Sequence, residues 1–155
     1  MPIVHIDEIM PLSPMQWFML LEEPELLPKV CYQCKSVQVD RFYGKTNARY
    51  EAVVGPISSS IFTDQSYQQF ENGDIEIKST SSGPFNYARA KWILKAVENE
   101  PTKTHIIFQF DYEFSNSLYS LFGNPILAKM AKGMLPAIYK QGKPVYDQEE
   151  ESLQV

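Results

Sequence analysis

The strongest pattern in the chain runs from Lys103 to Lys143. In THIIFQFDYEF, Ile106, Phe108, Phe110, Tyr112 and Phe114 occupy alternate positions, with Gln109, Asp111 and Glu113 between them. Successive strand side chains point to opposite faces, so this segment predicts a strand with one aromatic and one polar face. The stretch that follows, SNSLYSLFGNPILAKMAKGMLPAIYKQG, changes period. At about 100° per residue, Leu127, Met130, Ala131, Met134, Ala137 and Ile138 share one side of a helix. Lys129, Lys132, Lys140 and Lys143 fall on the other, within an arc of roughly 80°. The pattern predicts a helix laid across the aromatic face of a sheet, with its lysines outward.

Upstream segments supply the rest of that sheet. Residues 3–10 read as a short strand. PLSPMQ opens a helix, with Ser13 as N-cap and Pro14 at the first helical position, where its missing N–H costs nothing. Trp17, Phe18, Leu20 and Leu21 give this helix its apolar side, and Pro24 stops it. ELLP is then a short helical or turn segment ending at Pro28. KSVQVDRF and NARYEAVV alternate across a hairpin turn at Gly44; Ala48, Tyr50 and Ala52 share a face, Arg49 and Glu51 the other. Gly55-Pro56 breaks the pattern before SSSIFTDQSYQQF, a long polar strand. Asn72-Gly73 turns into DIEIKST, with Ile75 and Ile77 inward. NYARAKWILKAVE places Ala88, Ala90, Trp92, Leu94 and Ala96 on one face.

This order predicts an α+β domain: a curved antiparallel sheet of about seven strands wrapped on a long C-terminal helix, with one or two short helices after the first strand. Small inward residues (Ala48, Ala52, Ala88, Ala90) leave room between the aromatics, and concave apolar spaces of this kind take small hydrophobic ligands. Residues 1–146 are expected to form the domain, and the acidic stretch 147–155 a flexible tail. Two prolines bear on the last helix. Pro125, after Asn124, suits a helix restart with Asn124 as cap. Pro136 lies inside the amphipathic run, where a proline costs roughly 3 kcal/mol, and predicts a kink or an early end.

With 155 residues, 44% of them hydrophobic and 13% aromatic, the chain suits one domain with one core. The N-terminal MPIVHIDEIM reads as neither signal nor transit peptide, and no apolar run is long enough to span a bilayer. A net charge of −5 argues against broad electrostatic binding to nucleic acid, and sequence-specific DNA binding is not expected. Cys31 and Cys34 do not make a disulfide framework, so a reducing compartment is the default.

The element order and four motifs together resemble the helix-grip fold of the START-like (polyketide cyclase/dehydrase) superfamily. Within it the chain resembles the branch of coenzyme Q-binding proteins and bacterial ribosome-association toxins. PLSPMQWFMLL is similar to the family's first helix, with Phe18 at an aromatic position. EPELLP resembles its "YPEFLP" motif, SSGPFNYARAKW its "EGPF…W" turn and strand, and FQFDYEFSNSLYSLFG its "DFEF…S.L…G" lead into the last helix. Glu23 stands where the family has a tyrosine, and Cys31 comes one residue later than the family's cysteine. The resemblance implies a bound hydrophobic ligand, a ubiquinone-like polyprenyl quinone or its precursor, with no cofactor required, in support of respiration or quinone synthesis. It places the protein in the cytoplasm with peripheral contact at the inner membrane, or on the matrix side of the mitochondrial inner membrane for a eukaryotic source. The branch's other members imply a second reading, binding of the large ribosomal subunit to block subunit joining.

Tyr50, Trp92, Phe108, Phe110 and Tyr112, with Met130 and Met134 above them, read either as ordinary core or, on the resemblance, as pocket lining; thioether side chains repack easily and suit a lid. Leu26, Leu27 and Pro28 form an apolar knuckle. Singly each is a staple under a loop; as a group they suit a pocket mouth that touches membrane. Lys129, Lys132, Lys140 and Lys143 make a solvated helix face, a contact for anionic lipid headgroups at roughly 1 kcal/mol each, or a contact for ribosomal RNA phosphates. The C-Y-Q-C pair enters a strand rather than a helix, against a thioredoxin-type motif, and a zinc ion would want two further ligands; no metal site is expected. No nucleophile elbow, phosphate loop or HExxH occurs. No catalytic residue is assigned and a binder is expected rather than an enzyme, with a superfamily cyclase as a third reading.

Overall fold

The computed structural model describes residues 3–31, 33–42 and 44–153, with the side chains of 42 and 143–153 left aside. The chain runs β1 (Ile3–Pro11), α1 (Pro14–Leu21), a 3-10 turn (Pro24–Leu26), α2 (Leu27–Val30), β2 (Cys34–Phe42), β3 (Lys45–Val54), β4 (Ile57–Gln69), β5 (Ile75–Ser82), β6 (Phe85–Val97), β7 (Glu100–Phe114) and α3 (Ser117–Leu153). The strands form one antiparallel sheet in the order β1-β7-β6-β5-β4-β3-β2. Everything from β2 to β7 is a meander of hairpins; only β1 returns to pair with the last strand. This is the curved seven-stranded sheet with a long C-terminal helix that the hydrophobic pattern predicts.

The corner between β1 and α1 shows how local chemistry sets the frame. Ser13 Oγ accepts from the Gln16 backbone N–H at 3.2 Å, and Gln16 Oε1 accepts from the Ser13 N–H at 2.9 Å, a reciprocal capping box. Leu12 sits at φ +82°, a region that costs a branched residue about 1–2 kcal/mol. Two buried donors hold it there: Trp17 Nε1–H donates to the Pro11 carbonyl at 2.6 Å, and the Thr104 hydroxyl to the Leu12 carbonyl at 2.8 Å. Trp17 and Thr104 are both fully buried.

Helix α1 packs onto β5, β6 and β7. Its Trp17, Phe18 and Leu20 join Ile75, Ile77, Trp92, Leu94, Ile106 and Phe108 from the sheet, and Leu135 and Ile138 from α3, in one buried cluster. The core therefore occupies one end of the concave face. Two glycines let α3 approach. A Cβ at Gly142 would lie 2.6 Å from the Leu20 methyls, and one at Gly123 would lie 2.3 Å from the Phe114 ring.

Several expectations need correction. Pro28 does not end the helical segment; it stands in the first turn of α2, which runs to Val30. Helix α3 does not restart at Pro125 and does not end early at Pro136. It begins at Ser117, capped by Asn116, whose Oδ1 accepts from the Tyr119 N–H at 2.9 Å. Both prolines lie on its exposed side. The carbonyls they leave unbonded belong to Leu121 and Lys132, which are also exposed, so water takes the place of the lost hydrogen bonds. Asn124 instead accepts from the Tyr112 hydroxyl at 3.1 Å. The backbone of 147–153, expected as part of an acidic tail, continues this helix. Strand β7 begins at Glu100, four residues before the expected start at Thr104.

Candidate functional site

The other end of the concave face is not filled. A cavity of about 230 Å³ lies between the first half of α3 and the sheet. Ala52 and Tyr50 on β3, Ser59, Ile61 and Thr63 on β4 and Ser81 on β5 form its floor. Phe85, Phe110 and Phe114 form one wall. Tyr119, Ile126, Leu127 and Met130 cover it from α3, and Leu27, Cys31, Gln33 and Cys34 close the side where α2 passes into β2. The small side chains at Ala52, Ser59 and Ser81 are why β3, β4 and β5 leave space here, whereas Ile75, Ile77 and Trp92 fill it at the other end.

The described lining contains no Asp, Glu, Lys, Arg or His, and almost all the surface it presents is apolar. Its polar groups mostly satisfy one another. The Thr63 and Ser81 hydroxyls lie 2.9 Å apart. The Cys31 thiol donates to Gln33 Oε1 at 3.1 Å and lies 3.8 Å from Met130 Sδ. The Cys34 thiol reaches the Ser36 carbonyl at 3.7 Å. Both cysteines are buried free thiols. Burial pushes the Cys34 thiol up from its ordinary pKa, and the neighbouring Cys31 adds to the shift. Burial likewise pushes the Tyr50 phenol well above its usual range, with smaller contributions from Cys34 and Glu25. In apolar surroundings the charged form of each loses its hydration, so the neutral form is favoured. Groups held neutral in this way make poor nucleophiles and poor bases.

Of the expected pocket residues, Leu27, Tyr50, Phe110 and Met130 face this cavity. Trp92 and Phe108 do not. They pack with ring centroids 4.1 Å apart and planes tilted by 30° inside the core, under α1. Tyr112 is buried but lies beside the shallow depression between β1 and α3. Met134 lines an adjoining groove between α2 and α3, together with Val30 and Lys129. Leu26 packs on the core and Pro28 is half-buried, so the knuckle is divided: only Leu27 reaches the cavity. Alternation along a strand assigns a face but not a position along it, and this is why Trp92 and Phe108 look equivalent to Phe110 in sequence. Phe85, Phe114, Tyr119, Ile126 and the β4 residues were missed; the polar run SSSIFTDQ gives no sign that its small inward members floor a cavity. Lys129, Lys132 and Lys140 are exposed on α3, and the side chain of Lys143 lies outside the described residues. No cluster of metal-ligating His, Cys, Asp or Glu occurs among the described residues. No described helix is long and apolar enough to cross a membrane.

Where the β3–β4 turn meets the start of α3, Val53, Leu118 and Leu121 are exposed apolar side chains beside the cavity residues Val54 and Tyr119. Gly55 brings that turn against Phe122: a Cβ there would lie 3.0 Å from the ring.

A family model described as polyketide cyclase/dehydrase and lipid transport matches residues 10–138. No curated protein matches the chain in sequence. Among solved structures, a START superfamily protein from Mycobacterium smegmatis is similar at TM-score 0.72 and 12% identity, over 92% of this chain and 98% of that one. A STAR-related lipid transfer protein from Xanthomonas axonopodis is similar at TM-score 0.69 and 9% identity, over 90% and 83%. The Zhui aromatase/cyclase from Streptomyces sp. R1128 is similar at TM-score 0.53 and 11% identity, over 92% and 87%. At these identities the likeness is one of fold, shared by lipid binders and enzymes alike.

Proposed function

The chain belongs to the polyketide cyclase/dehydrase and lipid transport family, and from that footing we propose that it binds a polyprenyl quinone of the ubiquinone kind, or its biosynthetic precursor, without chemically altering it. The observation that carries this reading is the uncharged cavity between α3 and the sheet. A binder of apolar molecules needs dispersion contact, which Phe85, Phe110, Phe114, Ile126 and Leu127 supply. An enzyme needs an acid, a base or a nucleophile with a tuned pKa; here the titratable groups facing the cavity are thiols and phenols, and burial holds Cys34 and Tyr50 neutral. The four sequence motifs resemble the branch that holds the coenzyme Q-binding proteins and the ribosome-association toxins alike, and the uncharged cavity is what favours the quinone reading of the two.

The cavity volume sets a limit. At about 230 Å³ it falls below the range of roughly 300–1,000 Å³ typical of pockets that enclose a whole drug-sized ligand. It suits a substituted ring and the first part of a chain. A longer prenyl tail would leave past Val53, Leu118 and Leu121, and these exposed side chains suit contact with an acyl layer during pick-up and release. Lys129 and Lys132, on the same helix, would add attraction to anionic headgroups. The site of action proposed is a membrane surface, the cytoplasmic face of the bacterial inner membrane or the matrix face of the mitochondrial one, where the protein hands quinone to respiratory electron transport or to the enzymes that make it.

The test is mass spectrometry of the organic extract from protein purified out of a host that makes ubiquinone. Stoichiometric quinone, reduced in Phe110→Ala and retained in a surface variant such as Lys95→Ala, is the expected result. An extract free of quinone overturns the reading and turns attention to the ribosome-association alternative, for which co-sedimentation with large ribosomal subunits is the direct assay.

A further inference from the structure

Not every polar group in the cavity has a counterpart: the hydroxyls of Tyr50, Ser59 and Tyr119 have none among the described residues, and of these Tyr50 is the one beside Cys34. Thr63 and Ser81 pair with each other, Cys31 with Gln33 Oε1, and Cys34 with the Ser36 carbonyl. Tyr50 stands on β3 between Val37 and Ile61, half-buried, with its side chain in the cavity floor and Cys34 nearby. The Gln33 carboxamide at the same end has its oxygen engaged by the Cys31 thiol, so its two N–H groups remain. This end of the cavity therefore offers donors and no charge, while the opposite end offers aromatic rings.

Resting on the hydrophobic-ligand reading above, we infer that Tyr50 is the specificity-determining residue of this cavity, donating a hydrogen bond to the carbonyl oxygen of a neutral ring ketone or quinone seated between Cys34 and Phe110. The chemistry excludes other apolar ligands in turn. A fatty acid or phospholipid head brought inside would leave an anion with no cation in the described lining, and an unpaired buried charge is far costlier than an unpaired dipole. A hydrocarbon would enter but would strip the phenol of water and return nothing. A carbonyl satisfies the phenol and needs no counter-charge. Because the phenol stays protonated through the physiological range, its O–H is available to donate to such a carbonyl.

The experiment uses three probes of one ring size: duroquinone, durene (the same tetramethylated ring without oxygens) and 2,3,5,6-tetramethylbenzoate. Each displaces the neutral fluorophore N-phenyl-1-naphthylamine from the full chain. In the wild type duroquinone binds tighter than durene by about three- to tenfold, the worth of one neutral hydrogen bond, and the benzoate does not compete. Tyr50→Phe brings duroquinone and durene to parity. Equal affinities in the wild type, or an unchanged ratio in Tyr50→Phe, overturn the role of Tyr50 and leave the apolar cavity standing. If that variant folds poorly, Gln33→Leu decides: the wild-type ratio persists in it if Tyr50 is the donor, and parity there overturns the role of Tyr50. If neither neutral probe nor fluorophore binds, the hydrophobic-ligand reading falls, and this inference with it.

Discussion

Leu135 and Leu127 stand two turns apart on α3, and truncating each to alanine separates the filled end of the concave face from the hollow one. Leu135 is 1% exposed and sits inside the buried cluster. Removing its three outer carbons forfeits about 2 kcal/mol of transfer free energy at ~0.8 kcal/mol per buried carbon. The void left behind adds to that, so the total falls at about 3–4 kcal/mol, within the usual range for a core Leu→Ala change. Leu127 is half-buried, and one side of it already faces 230 Å³ of open space. Its outer carbons lack partners on that side, and truncation widens an existing cavity instead of opening a new one. The cost expected is about 1 kcal/mol. For a domain of this size each kcal/mol moves the melting temperature by about 2–4 °C. Leu135→Ala should therefore lose roughly 6–16 °C and Leu127→Ala roughly 2–4 °C. Urea unfolding with unchanged m-values gives the same comparison in free energy. Equal losses, or a larger loss at Leu127, would mean that α3 packs tightly along its whole length, and the reasoning from the cavity would fail.

Other consequences follow from single features. Lys129→Glu with Lys132→Glu should weaken binding to vesicles containing anionic lipid by roughly 2 kcal/mol or more, read by co-flotation, with quinone content unchanged; equal flotation would remove the helix from the membrane contact. Tyr50 keeps its proton in the folded chain at pH values where the unfolded chain has lost it. Its contribution is complete below about pH 10 and is lost as pH rises above that, at up to ~1.4 kcal/mol per pH unit. Urea melts between pH 9 and 12 should show the fall, less steep in Tyr50→Phe; identical slopes would contradict a buried phenol. Cys34 should react with iodoacetamide more slowly than a free thiol at pH 8.5, because its thiolate is disfavoured; a rate at or above that of glutathione refutes this. Ser13→Ala should cost about 1 kcal/mol through loss of the cap, visible as a lower urea midpoint.

The sequence announces the fold because nearly every strand carries a clean period of two and its turns carry the right residues. Gly44, Gly55 and Gly73 all take positive φ, as their turns demand. The Ser-Pro start of α1 is equally plain. What periodicity cannot supply is depth along an element. Ile106, Phe108 and Phe110 share a face, yet α1 covers the first two and leaves the third beside a cavity. That outcome depends on where Trp17 and Phe18 land, a contact between segments far apart in the chain. Leu135 is a parallel case. It lies about 40° outside the apolar stripe on the 100° reckoning and is nevertheless buried, because the curved sheet and α1 embrace α3 on that flank. The prolines mislead because the penalty of a regular buried helix does not apply where the carbonyls they orphan face solvent.

The pairing of β1 with β7 also bears on how the chain is made. Every other strand finds its neighbour across a turn, so the meander from β2 to β7 can assemble as it emerges from the ribosome. Strand β1 cannot: Ile3 waits for Asp111. At about 5–20 residues per second, translation leaves β1 and the apolar side of α1 without their partners for on the order of 5–20 seconds. Docking of this first-made segment would then be the final, non-local event of folding, slow for the entropy of closing so large a loop. Trp17, engulfed only when that event is complete, is a natural fluorescent clock for it.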